Sequence, residues 1–368
     1  MKKIISGIIL TLLLTGMLTL AFDIQQVQAS PTIYIRSGGS IDPPTASIQR
    51  TGVIYTFTDN INDSIVVERS NIVIDGAGFT LRGAGSGKGI DLSGRNFVTV
   101  KNMTIELFSD GIWLSGSSHN NITRNNITNN QDDGIDLRES SNENSIVGNN
   151  ITNNDDDGIE LWHSVYNNII GNNVTDNHLH GLWLYDDSNY NTISGNTIAK
   201  NSYDGIVLVS ASRYNNISGN TIEENHDDGI TLLNSPNNSI YHNNFMNNTN
   251  QVSTNSVNTW DNGYPSGGNY WSDYNGTDLY SGPGQNITGS DSIGDTPYVI
   301  NANNRDRYPK VQASAGGGFD WTLVIIIIVV IAGAAVIVTI LILRRKKPSV
   351  APLPSKVQPP PPPPPPPP

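Results

Sequence analysis

The aliphatic residues in the middle of the chain recur with a spacing of 22 to 24 residues. Each repeat ends in a glycine, an aliphatic residue, any residue and a leucine, and the seven glycines are Gly89, Gly111, Gly134, Gly158, Gly181, Gly205 and Gly229. In the five repeats that end at Gly134 to Gly229, Ile or Val also stands 12 and 7 residues before the glycine. These aliphatic residues lack the 3.6-residue period of a helix, so each repeat predicts three short strands.

Asparagine separates the predicted strands at fixed positions. In the same five repeats it stands 14, 9 and 4 residues before the glycine. Asparagine tolerates left-handed backbone angles at corners, and identical asparagines in register can hydrogen-bond along a column. The repeat therefore predicts an all-β fold, a parallel β-helix with coils of about 23 residues stacked about 4.8 Å apart around one aliphatic core.

Two apolar segments outside the repeats predict export and membrane attachment. Lys2 and Lys3 precede an apolar run that ends in a small-residue cleavage site before Ser30, which is typical of a secretory signal. Residues 321–343 are apolar over a length that spans a bilayer, and four basic residues follow them. We therefore expect a single-pass protein of the cell membrane whose N-terminal region is extracellular.

These observations divide the chain into six predicted parts. They are a signal peptide (1–29), a β-helix with its N-terminal cap (30–250), a C-terminal cap (251–310), a linker (311–320), a transmembrane α-helix (321–343) and a basic, proline-rich cytoplasmic tail (344–368). The ten consecutive prolines at the end of the tail favour polyproline II, either as a solvated stub or as a docking site for a proline-binding partner.

Charge and composition narrow the range of partners. The 368 residues carry a net charge of −12, and residues 30–320 contain 14 Lys and Arg against 32 Asp and Glu. An acidic surface of this kind disfavours nucleic acid and other polyanions. The chain has no cysteine, so no disulfide can stabilise the exported region. The expected partners are surface glycans or neighbouring proteins of the cell envelope.

Segments on either side of the repeats resemble a known family. "SGGSIDPPTASIQRTGVIYTFTDNINDSIVVERSNIVIDGAGFTLRG" (37–83) looks like the N-terminal cap and first coil of NosD-type proteins, and "WDNGYPSGGNYWSDYNGTDLYSGPG" (260–284) looks like their C-terminal end. This family, called periplasmic copper-binding, is common among archaeal surface proteins. The resemblance implies a right-handed β-helix with a pectin-lyase-like fold and suggests a copper-binding accessory role.

Aspartates and histidines supply the candidate metal ligands. The residue before the repeat glycine is Asp in five of the six repeats from Gly111 to Gly229 and His180 in the other. A residue that recurs in every coil is typical of a turn that accepts backbone N–H groups. The alternative is calcium held by Asp132, Asp133, Asp156 and Asp157. Copper would need imidazole ligands, for which His178 and His180 are the weak candidates.

Outward positions of the glycine-initiated strands supply the candidate ligand-binding residues. Strand alternation directs the second and fourth residues after each glycine away from the core, and we expect a water-facing ladder there. Sugars stack on exposed aromatic rings and hydrogen-bond to neighbouring polar groups. The ladder consists of Trp113, Asp136, Arg138, Glu160, Trp162, Trp183 and Tyr185. A loop or a neighbouring protomer packed over these residues is the alternative explanation.

Two functional classes remain open from the sequence. One is a non-catalytic surface module that binds glycans or other surface proteins. The other is a polysaccharide lyase or glycoside hydrolase that uses Asp136, Glu160 and Arg138, because two acids in adjacent coils could lie about 5 Å apart, as in retaining glycosidases. The ordered catalytic motifs of β-helix polygalacturonases and the Asp-Pro-His motif of β-helix epimerases are absent.

Overall fold

A computed structural model describes residues 32–314, which form a right-handed parallel β-helix of about nine coils, as predicted. Each full coil adds one strand to each of three parallel sheets, which we call the front, second and third sheets. Within the described range no helix is long and apolar enough to span a bilayer. The predicted signal peptide (1–29) and transmembrane helix (321–343) lie outside the described residues.

Thirty-four strands build the fold of residues 32–314. The front sheet contains β1 (Ile33–Ile35), β2 (Ile41–Asp42), β5 (Ile65–Val67), β8 (Lys88–Asp91), β11 (Asp110–Ser115), β14 (Ile135–Arg138), β17 (Ile159–Trp162), β20 (Leu182–Tyr185), β23 (Ile206–Val209), β26 (Asp228–Leu233) and β29 (Asn250–Thr254). The second sheet contains β3 (Ile48–Thr51), β4 (Ile54–Phe57), β6 (Ile72–Asp75), β9 (Val98–Lys101), β12 (Asn121–Thr123), β15 (Ser145–Val147), β18 (Asn168–Ile170), β21 (Thr192–Ser194), β24 (Asn216–Ser218) and β27 (Ser239–Tyr241). The third sheet contains β7 (Thr80–Arg82), β10 (Thr104–Glu106), β13 (Asn126–Thr128), β16 (Asn150–Thr152), β19 (Asn173–Thr175), β22 (Thr197–Ala199), β25 (Thr221–Glu223), β28 (Asn244–Met246) and β30 (Tyr270–Trp271). Two short hairpins follow, β31 (Tyr280–Ser281) with β32 (Ile287–Thr288) and β33 (Tyr298–Asn301) with β34 (Asn304–Asp306).

The core is the stack of aliphatic side chains that the repeat predicts. Ile135 pairs with Ile159 in the next coil, and Leu137 with Leu161, and all four side chains are fully buried. Removing this stack from water is the main favourable contribution to folding, at about 25 cal/mol per Å² of apolar surface.

The asparagine columns hydrogen-bond from coil to coil, which confirms the predicted hydrogen bonding between asparagines in register. Asn149 is fully buried: its Oδ1 accepts the backbone N–H of Asn125, and its Nδ2 donates to Ile122 O at 2.9 Å and Asn172 Oδ1 at 3.0 Å. The predicted left-handed conformation is wrong for these asparagines. The residue just before each one, such as Gly148, has the positive φ instead. Asparagine is therefore selected for its paired donor and acceptor.

The repeat glycines are required by close approach of neighbouring coils. A Cβ on Gly158 would lie 2.4 Å from Val174 Cγ1 and 2.7 Å from Gly181 O. No side chain fits this gap between a strand of the front sheet and the next coil.

Aromatic residues close the C-terminal end of the coil stack. Trp271 stacks on Phe245 of the last full coil at 4.5 Å between ring centroids, and Tyr298 stacks on the other side of Trp271 at 4.3 Å. The indole N–H of Trp271 donates to Asp306 Oδ2 at 3.0 Å. These rings cover a core that an open solenoid end would leave exposed.

Candidate functional site

The register of the front sheet aligns the residues of the predicted ladder. Trp113 pairs with Asp136, Asp136 with Glu160 and Glu160 with Trp183 across four adjacent strands. At about 4.8 Å per strand, the two tryptophans lie about 14 Å apart along the axis.

Three aromatic side chains pack together on the outside of β17 and β20. Tyr185 stacks on Trp162 at 6.0 Å and on Trp183 at 5.3 Å between ring centroids. All three are half-buried, so ring edges and part of the ring surface remain open to solvent. Together with Trp113 and Arg138, we call these residues the aromatic face.

Arg138 occupies the centre of the aromatic face. Its guanidinium carbon lies 5.1 Å from the Trp113 ring centre and 5.8 Å from that of Trp162, within the range of cation–π attraction. Its Nε donates to Asp136 Oδ2 at 2.6 Å, and its Nη2 donates to Glu160 Oε2 at 2.9 Å. Two carboxyls and two indoles therefore fix a side chain that remains 31% exposed.

The expectation that the whole ladder faces water is wrong for its two acids. Asp136 is 0% exposed and Glu160 is 6% exposed. Both point away from the aliphatic core, as the alternation requires, but Arg138 covers them. The aromatic face is thus a layer of aromatic and cationic side chains above buried carboxyls.

More carboxyls lie beside these two acids, in the turns that precede the front strands. Three of the five aspartates before repeat glycines accept a backbone N–H from the next coil, as the turn interpretation predicts: Asp157 N–H donates to Asp133 Oδ1 at 3.0 Å, His180 N–H donates to Asp157 Oδ1 at 2.8 Å, and Asp228 N–H donates to Asp204 Oδ1 at 2.8 Å. We use the name acid cluster for Asp110, Asp132, Asp133, Asp136, Asp156, Asp157 and Glu160.

Burial weakens the acidity of the cluster. It raises the pKa of Asp136 to about 8 and that of Asp110 to about 6, with further contributions from the neighbouring carboxyls Glu160 and Asp132, respectively. Burial also raises the pKa of Asp133 well above its usual range, and a hydrogen bond with Glu160 adds to the shift. Ionisation of the whole cluster is therefore unfavourable unless a further cation lies beside it.

The predicted calcium ligands come together only in part. Asp132, Asp133 and Asp156 offer oxygens within 4.8 Å of one another, whereas Asp157 does not belong to this group. A second group, Asp110 with Asp133 and Asp136, has the same spacing.

The two candidate copper ligands have separate partners. His178 is exposed, and its Nδ1 lies 2.9 Å from Asp155 Oδ1. His180 is partly buried, its Nδ1 accepts the backbone N–H of Asp204 at 3.2 Å, and burial lowers its pKa to about 4. Copper therefore stays a prediction from the family resemblance.

Sequence reasoning did not assign two residues to this region: it left out Lys88, and it counted Asp110 only as a turn residue. Lys88 and Asp110 stand directly before repeat glycines, in the same column as Asp133. The Lys88 Nζ lies 3.3 Å from the ring centre of Trp113, and Asp110 is 5% exposed. The sequence signal that could have identified Lys88 is the change from Asp to Lys at the position before the repeat glycine.

An exposed tyrosine column lies at another corner of the coils. Tyr166, Tyr190 and Tyr214 stack at 5.1 Å between ring centroids and are each about half exposed. Because each ring covers the next, the column offers a ligand mostly edges and hydroxyl groups.

Comparison with known families matches two parts of the chain. Residues 47–198 match the family described as right handed beta helix region, and residues 180–276 match the periplasmic copper-binding protein (NosD) family. No curated protein sequence matches the chain significantly.

Several solved structures align with the chain at low identity. A mutant of the periplasmic alginate epimerase AlgG aligns with 17% identity and a TM-score of 0.43, over 57% of this chain and 67% of the epimerase. The catalytic domain of a GH87 alpha-1,3-glucanase in complex with nigerose gives 19% and 0.39, over 55% of this chain and 45% of the glucanase. Pectate lyase Pel9A gives 15% and 0.38, over 58% of this chain and 68% of the lyase. At these scores the likeness carries no argument about what this chain binds.

Proposed function

Since the chain is a right-handed parallel β-helix protein of the NosD type, we propose that its coils present the aromatic face to glycans and that it binds them without cleaving them. The observation that carries the proposal is the layering of the face. Half-buried aromatic rings and one rigid guanidinium reach solvent, while the carboxyls that could act on a glycosidic bond lie beneath them.

The rings offer what a sugar needs for stacking. Trp113 and Trp183 stand about 14 Å apart, which spans several sugar rings. Arg138 lies between them with its orientation already fixed, so little side-chain entropy is lost when it donates to a hydroxyl group. Because residues 30–320 carry a large excess of acidic residues, we propose neutral glycans as the ligands.

Burial argues against the catalytic alternative. A general acid or nucleophile must reach the glycosidic oxygen or the anomeric carbon. Asp136 is fully buried and Glu160 nearly so, and Arg138 occupies one oxygen of each. A reaction at this pair would first require Arg138 to leave both carboxyls.

The proposed location is the cell surface. It rests on the predicted signal and membrane segments, both outside residues 32–314. Protease added to intact cells is expected to remove the β-helix, and a protected β-helix would contradict this orientation.

The test of function is a glycan array with the full chain, followed by a product assay on each bound glycan. Binding without new reducing ends or unsaturated products is the expected result. Trp183→Ala and Trp113→Ala should each weaken binding roughly tenfold, since stacking of one ring contributes about 1 kcal/mol or somewhat more. Tyr214→Ala is the matched control, because it removes an aromatic ring from another corner.

Three outcomes would contradict the proposal. They are turnover of a bound glycan, an equal loss of binding in Tyr214→Ala, and the absence of any bound glycan. Thermal melting checks the folds of the variants: Leu161→Ala removes a fully buried side chain and should cost about 2–5 kcal/mol, well above the cost of either tryptophan variant.

A further inference from the structure

Three aspartates converge beneath the aromatic face. Asp110 begins β11, Asp133 precedes Gly134, and Asp136 lies in β14. Their oxygens lie within 4.8 Å of one another, and no side chain among them is more than 5% exposed. The stacking of adjacent coils creates this convergence, because the three residues belong to two successive turns of the solenoid.

Two of the three carboxyls have a buried oxygen without a hydrogen-bond partner. Asp110 Oδ1 and Asp136 Oδ1 are buried and make no hydrogen bond within residues 32–314. Arg138 Nε holds the other oxygen of Asp136 at 2.6 Å and so fixes the carboxyl group, leaving Oδ1 without a donor. Buried polar atoms without partners are rare, because each costs about 1–3 kcal/mol or more.

The surrounding charge is strongly unbalanced. The acid cluster contains seven carboxyls, and among residues 32–314 the cations that lower the pKa of its aspartates are Lys88 and Arg138. Five of the seven carboxyls are buried, so full ionisation of the cluster against two cations would be unfavourable. The region therefore needs either bound protons or a further cation.

We propose that Asp110, Asp133 and Asp136 bind a hard divalent cation, Ca²⁺, under the aromatic face. Carboxylate oxygens are the ligands that calcium prefers, and the three aspartates would supply part of its six to eight ligands, with the rest from water or backbone carbonyls. This inference does not depend on glycan binding. Of the sequence-based set of Asp132, Asp133, Asp156 and Asp157, it keeps only Asp133 and adds Asp110 and Asp136.

The chain contains a matched acidic group that lacks the decisive feature. Asp204, Asp227 and Asp228 also place three oxygens within 4.8 Å of one another. In that group the Asp204 Oδ1 accepts the Asp228 N–H at 2.8 Å, and the Asp228 carboxyl accepts from Thr231 and Asn250. No oxygen of this group is both buried and unpartnered in the described part of the chain. We therefore expect no calcium site there.

Terbium luminescence provides the test in the full chain. Trp113 pairs directly with Asp136 across the sheet, so a Tb³⁺ ion bound at the site should show indole-sensitised emission. Ca²⁺ should displace Tb³⁺ with the stoichiometry of one ion, and Ca²⁺ alone should raise the melting temperature. Asp110→Asn and Asp136→Asn should each weaken Tb³⁺ and Ca²⁺ binding at least tenfold, whereas Asp228→Asn should bind like the wild type.

Each alternative result decides against the proposal. Unsensitised Tb³⁺, or emission that Ca²⁺ does not displace, would exclude a calcium site at these residues. An equal loss of Tb³⁺ and Ca²⁺ binding in Asp228→Asn would show that the ions are attracted to acidic surface in general. Stabilisation by Mg²⁺ but not by Ca²⁺ would exclude calcium as the ion. If either site variant fails to fold, Asp110→Ser provides a second variant with a neutral polar side chain, judged by the same displacement assay.

Discussion

The asparagine columns and the acid cluster are two polar stacks that differ in whether hydrogen-bond donors match the acceptors. Asn149 both accepts and donates along its column, so each carboxamide satisfies the next one. The carboxyls of the acid cluster can only accept when ionised, and four of them leave a buried oxygen without a partner: Asp110, Asp136, Asp156 and Asp157. A side chain with both donor and acceptor can repeat indefinitely in a solenoid, whereas an acceptor alone requires protons or another cation.

Replacing an asparagine of a buried column by aspartate should lower the stability of the protein more than a substitution at His180 or Asp157. In Asn149→Asp, the donor to Ile122 O is lost and a carboxylate faces Asn172 Oδ1. We expect the free energy of unfolding to fall by about 4 kcal/mol, since two buried bonds are lost and an unpaired charge is buried. Urea denaturation at pH 7.5 measures this change.

The half-buried neighbour provides the control for this prediction. Asn150→Asp makes the same chemical change at a site whose Nδ2 donates only to Asn126 Oδ1. Its expected cost is below about 1 kcal/mol. Similar losses in the two variants would show that the column has no special role in stability.

His180 stands where the other repeats from Gly111 to Gly229 have an aspartate before the glycine, so it tests what a different side chain does at that position. Burial lowers its pKa to about 4 from an ordinary 6.5, so between these values the unfolded chain binds the extra proton. The stability that the neutral ring contributes is present above about pH 6.5 and is lost as the pH falls toward 4, by up to about 3 kcal/mol.

His180→Asn keeps an acceptor for the Asp204 N–H and cannot titrate. The difference between the wild-type and variant stability curves, measured by urea denaturation from pH 4 to pH 8, isolates this contribution from that of the carboxyls. The variant should lose less stability on acidification. Parallel curves would mean that the His180 ring is accessible to protons in the folded protein.

Replacing an aspartate of the acid cluster by asparagine should have the smallest effect on stability, and it should stabilise the protein. Asp157 Oδ1 accepts from the His180 N–H, while its Oδ2 is buried without a partner. Asp157→Asn keeps the acceptor and removes a group that must hold a proton or bear a buried charge. With a chelator present, we expect a gain of up to about 1 kcal/mol by urea denaturation at pH 7.5, and a clear loss would contradict the comparison.

The sequence predicts the fold well because every coil repeats the same chemistry. Leu137 and Leu161 stand at one position of the repeat and Asn149 and Asn172 at another, and stacking follows from that identity. The left-handed corners were misplaced by one residue, because asparagine favours both a positive φ and side-chain hydrogen bonds and the sequence does not say which one is used.

The candidate site was predicted less completely. Alternation places Asp136 outside the core, but it does not reveal that Arg138 lies over it. That cover depends on the lengths and rotamers of side chains in adjacent coils, such as Trp113 and Trp162, which differ from repeat to repeat. Burial of an outward residue is thus a property of its neighbours rather than of its own position.

The coil stack also has a mechanical consequence. Hydrogen bonds between coils run along the long axis, so a pulling force on the two ends loads the contacts of one terminal coil before those of the next. Detaching one coil gives up only about 4.8 Å of folded length and releases about 24 residues, or about 80 Å of extended chain. Under tension the solenoid would lengthen in uniform steps, and the coils that carry the aromatic face, which lie between the two ends, would be among the last to open.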